Sequence, residues 1–288
     1  MALARAAPVR ARSSFIHPPK GNLTLSKLMF YERPVALNRD RHKTLKLAIA
    51  PDHYRFAAAT NAVPIMSTEF AESARHYPIV FVGEEGGPFS VAALVGLRDG
   101  ENLMVDAEGR WLQGCYVPAF ARRYPFVLAK TDDSDRLTVC VDEVYPGLGK
   151  DAGEALFDDQ GEHTPYLRRV LDFLQAFHAE AQRTSDFATR LKELGLLVPK
   201  VIHVERKGQP KQTLRGLWIV DTAKLRGIDD ARAVELFRNG TLAWIEAHLI
   251  SLGSLSRLVD RTDRQTAVTD EQGQLQPSGD ASADAPVH

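Results

Sequence analysis

Apolar residues in the first half of the chain form short runs separated by turn-forming residues, a pattern typical of short strands and helices. Loose alternation predicts a first strand over residues 44–49. Apolar runs at residues 79–82 and 89–97 flank the turn at residues 84–88 and predict a hairpin, whose second strand should be central in a sheet. A third, short strand is expected over residues 103–105.

A short segment of this region occurs twice. Residues 75–81, Arg-His-Tyr-Pro-Ile-Val-Phe, are similar to residues 122–128, Arg-Arg-Tyr-Pro-Phe-Val-Leu. In each copy a short helix, predicted over residues 68–75 or 116–123, ends at Tyr-Pro, because proline disfavours helical geometry in the residue before it. A hairpin is predicted after each. We interpret the match as a structural repeat; the alternative is that Tyr-Pro after a basic helix end occurs twice by chance.

The second half of the chain shows the wider spacing of helices. Thr164 and Pro165 are typical of an N-cap and a first helical residue. Apolar residues then recur at helical intervals as far as Gly195, a typical helix stop. A break at residues 184–186 would divide this stretch into two helices.

A further hairpin and two more helices are predicted toward the C-terminus. The strands of this hairpin are expected over residues 200–205 and 212–220, around a turn at residues 207–210. Helices follow over residues 229–239 and 242–259. Small residues in the last helix are expected to permit close helix packing rather than catalysis; these are Ser251, Gly253, Ser254 and Ser256.

Together these elements predict an α+β fold. Its sheet is expected to be mostly antiparallel and built from the two helix–Tyr-Pro–hairpin units, with a helical C-terminal half that contains the further hairpin. We expect one globular domain over residues 29–261, with lobes at about 29–150 and 151–261. The polar composition of residues 262–288 predicts a disordered tail.

The first 28 residues are basic and offer little apolar surface to bury. The first acidic residue is Glu32, and no continuous apolar core of signal-peptide length follows the N-terminal arginines. Residues 1–28 are therefore expected to be a disordered extension. A start codon placed too early would give the same composition, and Met29 would then be the true first residue.

The overall composition is that of a soluble globular protein. Of 288 residues, 44% are hydrophobic and 25% charged, with a formal net charge of -1. This balance does not favour a nucleic-acid partner. The most apolar long stretch, residues 242–259, contains Glu246, His248 and Arg257 and predicts an amphipathic helix rather than a membrane span. Without a signal peptide, the cytoplasm is the expected compartment.

The sequence carries few signs of chemistry. It has no glycine-rich phosphate loop, no Gly-x-Ser-x-Gly elbow and no His-Glu-x-x-His motif, and no cofactor is expected. Cys115 and Cys140 lack metal-binding spacing and are interpreted as reduced, buried thiols. A disulfide between the two is the alternative.

One aromatic and basic cluster is the candidate ligand-binding site. Aromatic rings beside arginines suit a sugar, a peptide or an anionic group. The alternative is that these residues are core aromatics and helix-end cations. The cluster comprises Trp111, Tyr116, Arg122, Arg123 and Tyr124.

Asp158, Asp159 and Glu162 are weak candidates for a metal site. Their carboxylates lie near a glycine, as in calcium loops, but they lack the alternating pattern of an EF-hand. A surface turn leading into a capped helix is the favoured interpretation.

Several short motifs, in order along the chain, resemble those of the SapC family of bacterial proteins. They are His-Tyr-Pro-Ile-Val-Phe at residues 76–81, Gly-Glu-Asn-Leu at 100–103, Tyr-Val-Pro at 116–118, Arg-Tyr-Pro-Phe at 123–126, Gly-Glu-Ala-Leu-Phe-Asp at 153–158 and Thr-Pro-Tyr-Leu at 164–167. The resemblance runs from about Met29 to Asp260. Each motif alone is weak, and the ordered set is fairly specific.

The resemblance implies a link to surface-layer protein export or to envelope uptake systems, and it supplies no established catalytic residues. We therefore expect a non-enzymatic accessory or binding protein, with envelope or surface-layer export proteins as partners and an exposed aromatic groove or flat apolar patch. The alternative is a small-molecule- or peptide-modifying enzyme, with a pocket where a histidine or carboxylate converges with Trp111 or Tyr116.

Overall fold

Three sheets and eight α-helices make up the part of the chain that the computed structural model describes, which is residues 14–15, 28–131, 134–204 and 212–274. All strand pairs in this part are antiparallel except that of the first and last strands. The predicted α+β class with a mostly antiparallel sheet is therefore confirmed.

Twelve strands are present in these ranges. They are β1 (Ser14–Phe15), β2 (Pro34–Ala36), β3 (Lys46–Leu47), β4 (Ala62–Pro64), β5 (Ile79–Gly83), β6 (Phe89–Leu94), β7 (Phe126–Thr131), β8 (Ser134–Asp142), β9 (Leu148–Gly149), β10 (Glu154–Ala155), β11 (Leu197–Val204) and β12 (Gln212–Val220).

The α-helices of the described residues are α1 (Arg39–His42), α2 (Phe70–Ala74), α3 (Ala119–Arg122), α4 (Pro165–Glu193), α5 (Thr222–Arg226), α6 (Asp230–Arg238), α7 (Thr241–Ser251) and α8 (Leu255–Gln274). Short 3-10 turns add Arg55–Ala57, Ser67–Glu69 and Leu252–Ser254. No helix in the described ranges has both the length and the apolar character needed to cross a membrane.

The largest sheet has the strand order β1–β12–β5–β6–β4, with β11 also paired to β12. All five residues of β5 are buried, and β6 lies between β5 and β4, as its continuous apolar run predicts. The main hydrophobic core packs on this sheet and includes Phe70, Phe187, Ile245 and Leu258. It thus joins α2, α4, α7 and α8 to the strands.

Two smaller sheets, β2–β8–β7 and β10–β3–β9, are associated with a second hydrophobic core. Its buried residues include Leu47 and Phe126 from these sheets and Leu167 and Leu174 from α4. Helix α4 therefore contributes side chains to both cores.

Each Tyr-Pro pair lies between a short helix and a hairpin. The first pair joins α2 to β5–β6, and the second joins α3 to β7–β8. The two hairpins belong to different sheets. That the two segments are copies of one unit stays a prediction.

The strand expected at residues 103–105 does not form. Val105 makes an isolated bridge to Trp111. The buried Asn102 holds this segment as a turn, because its side chain donates to the Ala57 carbonyl at 2.8 Å and accepts from the Met104 amide at 2.9 Å. Side-chain hydrogen bonds to local backbone compete with strand pairing.

The expected break at residues 184–186 is also absent, since α4 is one helix of 29 residues. Its start agrees with the sequence: Thr164 is the N-cap and accepts from the Leu167 amide. The buried Thr184 hydroxyl bonds to the Glu180 carbonyl at 2.7 Å and the Ser67 amide at 2.8 Å. Its polar group is thereby satisfied inside the helix, which continues through it.

The last predicted helix is divided by the turn at Leu252–Ser254, and α8 extends beyond the expected tail boundary at residue 262. The side chain of Thr262 is fully buried. The remainder of that tail, residues 275–288, lies outside the described residues, as do residues 1–13 and 16–27 of the predicted N-terminal extension and the predicted turn at residues 207–210.

We predict that Thr184→Val destabilises the protein by about 1–3 kcal/mol, because it leaves the buried Ser67 amide without an acceptor while preserving side-chain shape. Urea unfolding would measure the change. Ser185→Ala, at an exposed neighbouring position of the same helix, should stay within about 0.5 kcal/mol of wild type. Equal stability of the two variants would contradict the assigned role of Thr184.

Candidate functional site

The residues of the aromatic and basic cluster predicted from the sequence lie in two groups with different polar contacts. In the first, the buried Trp111 donates from Nε1 to the Tyr77 hydroxyl at 3.1 Å. The Tyr77 hydroxyl donates in turn to the Tyr116 carbonyl. These contacts connect the segment between α2 and β5 to the segment before α3, and they occupy the polar atoms of the Trp111 and Tyr77 rings.

A buried carboxylate, Glu69, completes this group. It accepts from the Met66 amide at 2.8 Å, the Ala119 amide at 2.7 Å and the Tyr116 hydroxyl at 2.7 Å. Burial, and then the bond to Glu69, raise the pKa of Tyr116 to about 12. Arg122 is exposed and donates to the same hydroxyl at 3.2 Å. A carboxylate thus converges with Tyr116, but its oxygens are engaged by three donors from the protein itself.

The second group contains Arg123 and Tyr124. The Arg123 guanidinium lies 4.0 Å from the ring centroid of Phe120 and 4.8 Å from that of Phe177. Burial lowers the pKa of Arg123. The Tyr124 hydroxyl lies 3.3 Å from the carboxylate of the fully buried Asp142.

The five predicted residues therefore divide into two groups by their polar contacts. The hydrogen bonds of Trp111, Tyr116 and Arg122 belong to the first group, whereas Tyr124 contacts Asp142 and Arg123 stacks on Phe120 and Phe177. Their contacts are those of core aromatics and stacked cations. A ligand-binding role for them stays a prediction.

The acidic segment before α4 is a turn. The Asp158 carboxylate accepts from the Gln160 and Glu162 amides, both at 2.9 Å. Asp159 and Glu162 are exposed. Across the described residues, no group of three or more His, Cys, Asp or Glu side chains is placed to hold a metal ion.

The two cysteines are free thiols in different surroundings. Cys115 is partly exposed, and Cys140 is fully buried. Burial raises the pKa of Cys140 to about 11. The alternative of a disulfide between them does not occur in this structure.

An open groove of about 810 Å³ lies between α2, α7 and the start of α8. We call it the α2–α7 groove. Its lining is mostly small and apolar: Ala71, Ala74, Ala243, Ala247 and Gly253, together with Ile250. Ile250 is 70% exposed, although large apolar side chains are usually buried. Polar residues at the groove are Arg75, Glu246 and Arg257.

Helix α7 is held against the large sheet by two buried polar side chains. His248 accepts from the Val220 amide through Nε2 at 3.1 Å and contacts the Ile79 carbonyl through Nδ1 at 2.9 Å. Because Nε2 accepts, Nδ1 carries the proton. Ser251 accepts from the Ile79 amide at 2.8 Å.

The turn after α7 is bonded to α2. Ser254 donates to the Ala74 carbonyl at 3.1 Å, and Arg257 donates to the Arg75 carbonyl at 2.9 Å. The small residues of this region therefore have two roles: Ser254 bonds the turn to α2, and Gly253 lines the groove.

A smaller cavity of about 200 Å³, the arginine pocket, shares Arg75 and Arg257 with the groove. Its other polar lining residues are His76, Cys115 and Arg261. The sequence carried no signal for this pocket, because Arg75 has the appearance of a helix-end cation and the remaining residues are far away along the chain.

A third cavity, of about 260 Å³, contains His53 and is called the His53 cavity. The Nδ1 atom of His53 lies 2.7 Å from the Tyr145 hydroxyl, and burial lowers the pKa of this histidine. Glu32 and Tyr124 also line the cavity. This is where the structure brings one of the predicted residues, Tyr124, next to a histidine.

The fold and its surface define an α+β protein with a solvent-exposed apolar groove beside its α2 and α7 helices. A profile of the SapC family matches residues 37–258, which is most of the chain, and the protein belongs to this family. The resemblance in the sequence motifs is thus confirmed. No curated protein and no solved structure shows a significant match to the chain.

We predict that His248 makes the protein less stable as the pH falls from about 6.5 to about 4. Burial lowers the pKa of the folded-state imidazole to about 4, from 6.5 in a free side chain. Between these pH values the unfolded chain binds a proton at His248 and the folded protein does not. The free energy of unfolding therefore falls by about 3 kcal/mol. Urea midpoints measured across this range would show the slope.

His248→Gln should be less stable near neutral pH, because one buried backbone group loses its partner. Its stability should also fall less steeply between pH 6.5 and 4. His178→Gln, at an exposed position of α4, is the matched control and should follow the wild-type profile. A His248→Gln profile parallel to wild type would contradict this assignment.

Proposed function

We propose that this SapC-family protein is a non-enzymatic accessory or binding protein that holds a partner polypeptide in the α2–α7 groove. The observation that carries the proposal is the groove itself: about 810 Å³ of open, mostly apolar space with Ile250 70% exposed beside it. Exposed apolar surface of this kind is typical of protein-binding sites. It is a groove of aliphatic side chains, where the sequence led us to expect an aromatic groove or a flat patch.

The groove fits an amphipathic helix of the partner. Alanine and glycine at Ala71, Ala243, Ala247 and Gly253 allow a helix backbone to approach closely, and Ile250 would pack against its apolar face. Arg75 and Arg257 outnumber Glu246 among the charged residues at the groove and favour acidic residues beside that face. We therefore propose a helix with aliphatic residues on one side and Asp or Glu next to them.

The groove walls are held in place before any partner binds. Ser254 and Arg257 bond to backbone carbonyls of α2 and of the residue after it, and His248 bonds α7 to the sheet. A preorganised surface loses little conformational entropy on association. This supports a binding role, in which shape rather than reactivity matters.

We further propose that the partner belongs to surface-layer protein export or to an envelope uptake system, and that the protein acts from the cytoplasm. The family assignment supports the first part.

Site-specific photocrosslinking in the native host tests the groove. A photoreactive benzophenone amino acid replaces Ile250, and crosslinked peptides are identified by mass spectrometry. We expect a defined adduct to a helical, acidic and aliphatic segment of one envelope-system protein. The same amino acid at Phe237, which is 73% exposed on α6, should give no such adduct.

A charged substitution gives the corresponding affinity test. Ile250→Glu should weaken binding of the identified partner at least about tenfold, because it places a charge against an apolar contact. Phe237→Glu is the control of matched exposure and should leave binding unchanged. Equal crosslinking at the two positions, or a partner insensitive to Ile250→Glu, would refute the groove as the binding site.

The second candidate function is a small-molecule- or peptide-modifying enzyme, favoured by the His53 cavity. Burial lowers the pKa of His53, so that this side chain is neutral at pH 7. Its Nδ1 atom contacts the Tyr145 hydroxyl. A neutral imidazole at a cavity with a carboxylate, Glu32, and a phenol, Tyr124, has the groups required for acid–base chemistry.

Native mass spectrometry of protein purified from its own host separates the two functions. Retention of a small molecule that His53→Gln abolishes, with folding intact by circular dichroism, would favour the enzyme. For the binding function we expect the protein to carry no small molecule that depends on His53, and His53→Gln to match wild type in partner binding.

A further inference from the structure

We infer that the arginine pocket is a binding site for a phosphate group. The pocket lies where the end of α2 meets α8, beside the groove. Three arginines line it: Arg75, Arg257 and Arg261. Arg257 and Arg261 are four residues apart on α8 and so lie on one face of that helix.

The positive charge of the pocket is not neutralised by its own lining. Its remaining lining residues are His76, Met104, Cys115 and Leu258, so no carboxylate is among them. Within the described ranges, Arg257 and Arg261 bond to neutral atoms: the Arg75 carbonyl and Ser254 hydroxyl for the first, and the Met104 sulfur for the second.

Two acidic side chains in this region pair with arginines, and one of these arginines, Arg75, lines the pocket. Glu72 pairs with Arg75 at 3.4 Å in an exposed contact, where an ion pair contributes little. Asp106 pairs with Arg110 at 3.0 Å. The hydrogen bonds of Arg257 and Arg261 given above run to neutral atoms, so these two guanidinium groups are the ones that we expect to bind an anion.

The charges around the pocket change the pKa of His76, which lines it. Burial lowers the pKa of His76, as do the charges of Arg75, Arg257 and Arg261, whereas the charge of Glu72 raises it. His76 and all three arginines line the same pocket. His76 remains neutral at pH 7 and can contribute one N–H donor beside the guanidinium groups.

A phosphate group fits this site in size and charge. The volume of about 200 Å³ is below the roughly 300–1,000 Å³ of sites that enclose a whole drug-sized ligand. It suits one ionic group, and a guanidinium fork matches phosphate geometry. An adjoining cavity of about 570 Å³ shares Cys115 and Arg261. Its lining is mixed, with Asp106 and Gln113 among the polar residues, and its apolar residues Leu103, Val105 and Leu112 would contact an organic part if the phosphate is an ester.

Cys115 gives a direct readout of this site, because it lines the pocket while Cys140 is fully buried. The test compares alkylation of Cys115 by anionic iodoacetate and neutral iodoacetamide, followed by mass spectrometry of its peptide. Relative to glutathione, we expect the iodoacetate-to-iodoacetamide rate ratio to be raised several-fold. Arg257→Met and Arg261→Met should each return it toward the glutathione value, and Arg238→Met, at an exposed position of α6, should not.

Inorganic phosphate should protect Cys115 from iodoacetate in a saturable manner at constant ionic strength, whereas chloride should not. Arg261→Met should weaken this protection about tenfold or more, since a charged hydrogen bond is lost. Phenyl phosphate provides the second arm: tighter protection than by inorganic phosphate identifies a phosphate ester as the ligand, and equal or weaker protection identifies free phosphate.

A rate ratio equal to that of glutathione, or phosphate protection that is unsaturable or unchanged in both arginine variants, would overturn the inference. Ile250→Glu should leave the Cys115 chemistry unaltered, because Ile250 does not line the pocket. The phosphate site and the groove can therefore fail or succeed independently.

Discussion

The position of α7, and of the surfaces around it, depends on backbone groups of β5 and β12 that have no partner strand. Side chains of α7 supply their hydrogen-bond partners. β5 and β12 pair only at Leu217–Val82 and Trp218–Phe81. Beyond that point the amide and carbonyl of Ile79 and the amide of Val220 are buried and need partners. His248 and Ser251 of α7 supply them. Because a buried unpaired backbone group is costly, this requirement fixes where α7 packs.

Two buried carboxylates act in a comparable way on the first half of the chain. Glu69 bonds to Met66, Tyr116 and Ala119, and so joins the start of α2 to the segment around α3. Asp142, at the end of β8, accepts from the Glu32 and Arg33 amides at 2.9 Å each and holds the residues before β2. The aromatic and basic cluster is arranged around these carboxylates, which accounts for its division into two groups.

The groove and the arginine pocket follow from the same placement of α7 and α8. Once α7 is fixed on the sheet, the turn at Leu252–Ser254 carries the chain back across α2 and brings Arg257 to Arg75. The side chains between α2 and α7 are small, so a groove remains between the two helices. Arg75 and Arg257 lie at this groove and also line the arginine pocket. An apolar surface and a basic pocket thus adjoin because one turn joins the two helices that build them.

The sequence by itself determined the elements that depend on near neighbours. The start of α4 at Thr164–Pro165, the stop at Gly195, the hairpins and the α+β class were predictable, because caps, turns and residue periodicity act over a few positions. The family was recognisable from the resemblance of an ordered set of short motifs. Where a distant partner intervened, the prediction was wrong: Thr184 bonds to Ser67 and keeps α4 whole, and Asn102 bonds to Ala57 and prevents a strand.

The candidate site belongs almost wholly to the tertiary structure. Arg257 and Arg75 meet across 182 positions of the chain, and Ile79 meets Ser251 across 172. Sequence patterns describe which residues lie on one face of a helix, but they do not state which helix that face will meet. Small residues after α7 did indicate close packing, and Ser254 confirms it. The open groove and the converging arginines depend on the tertiary structure, because α7 is positioned by its hydrogen bonds to backbone groups of β5 and β12.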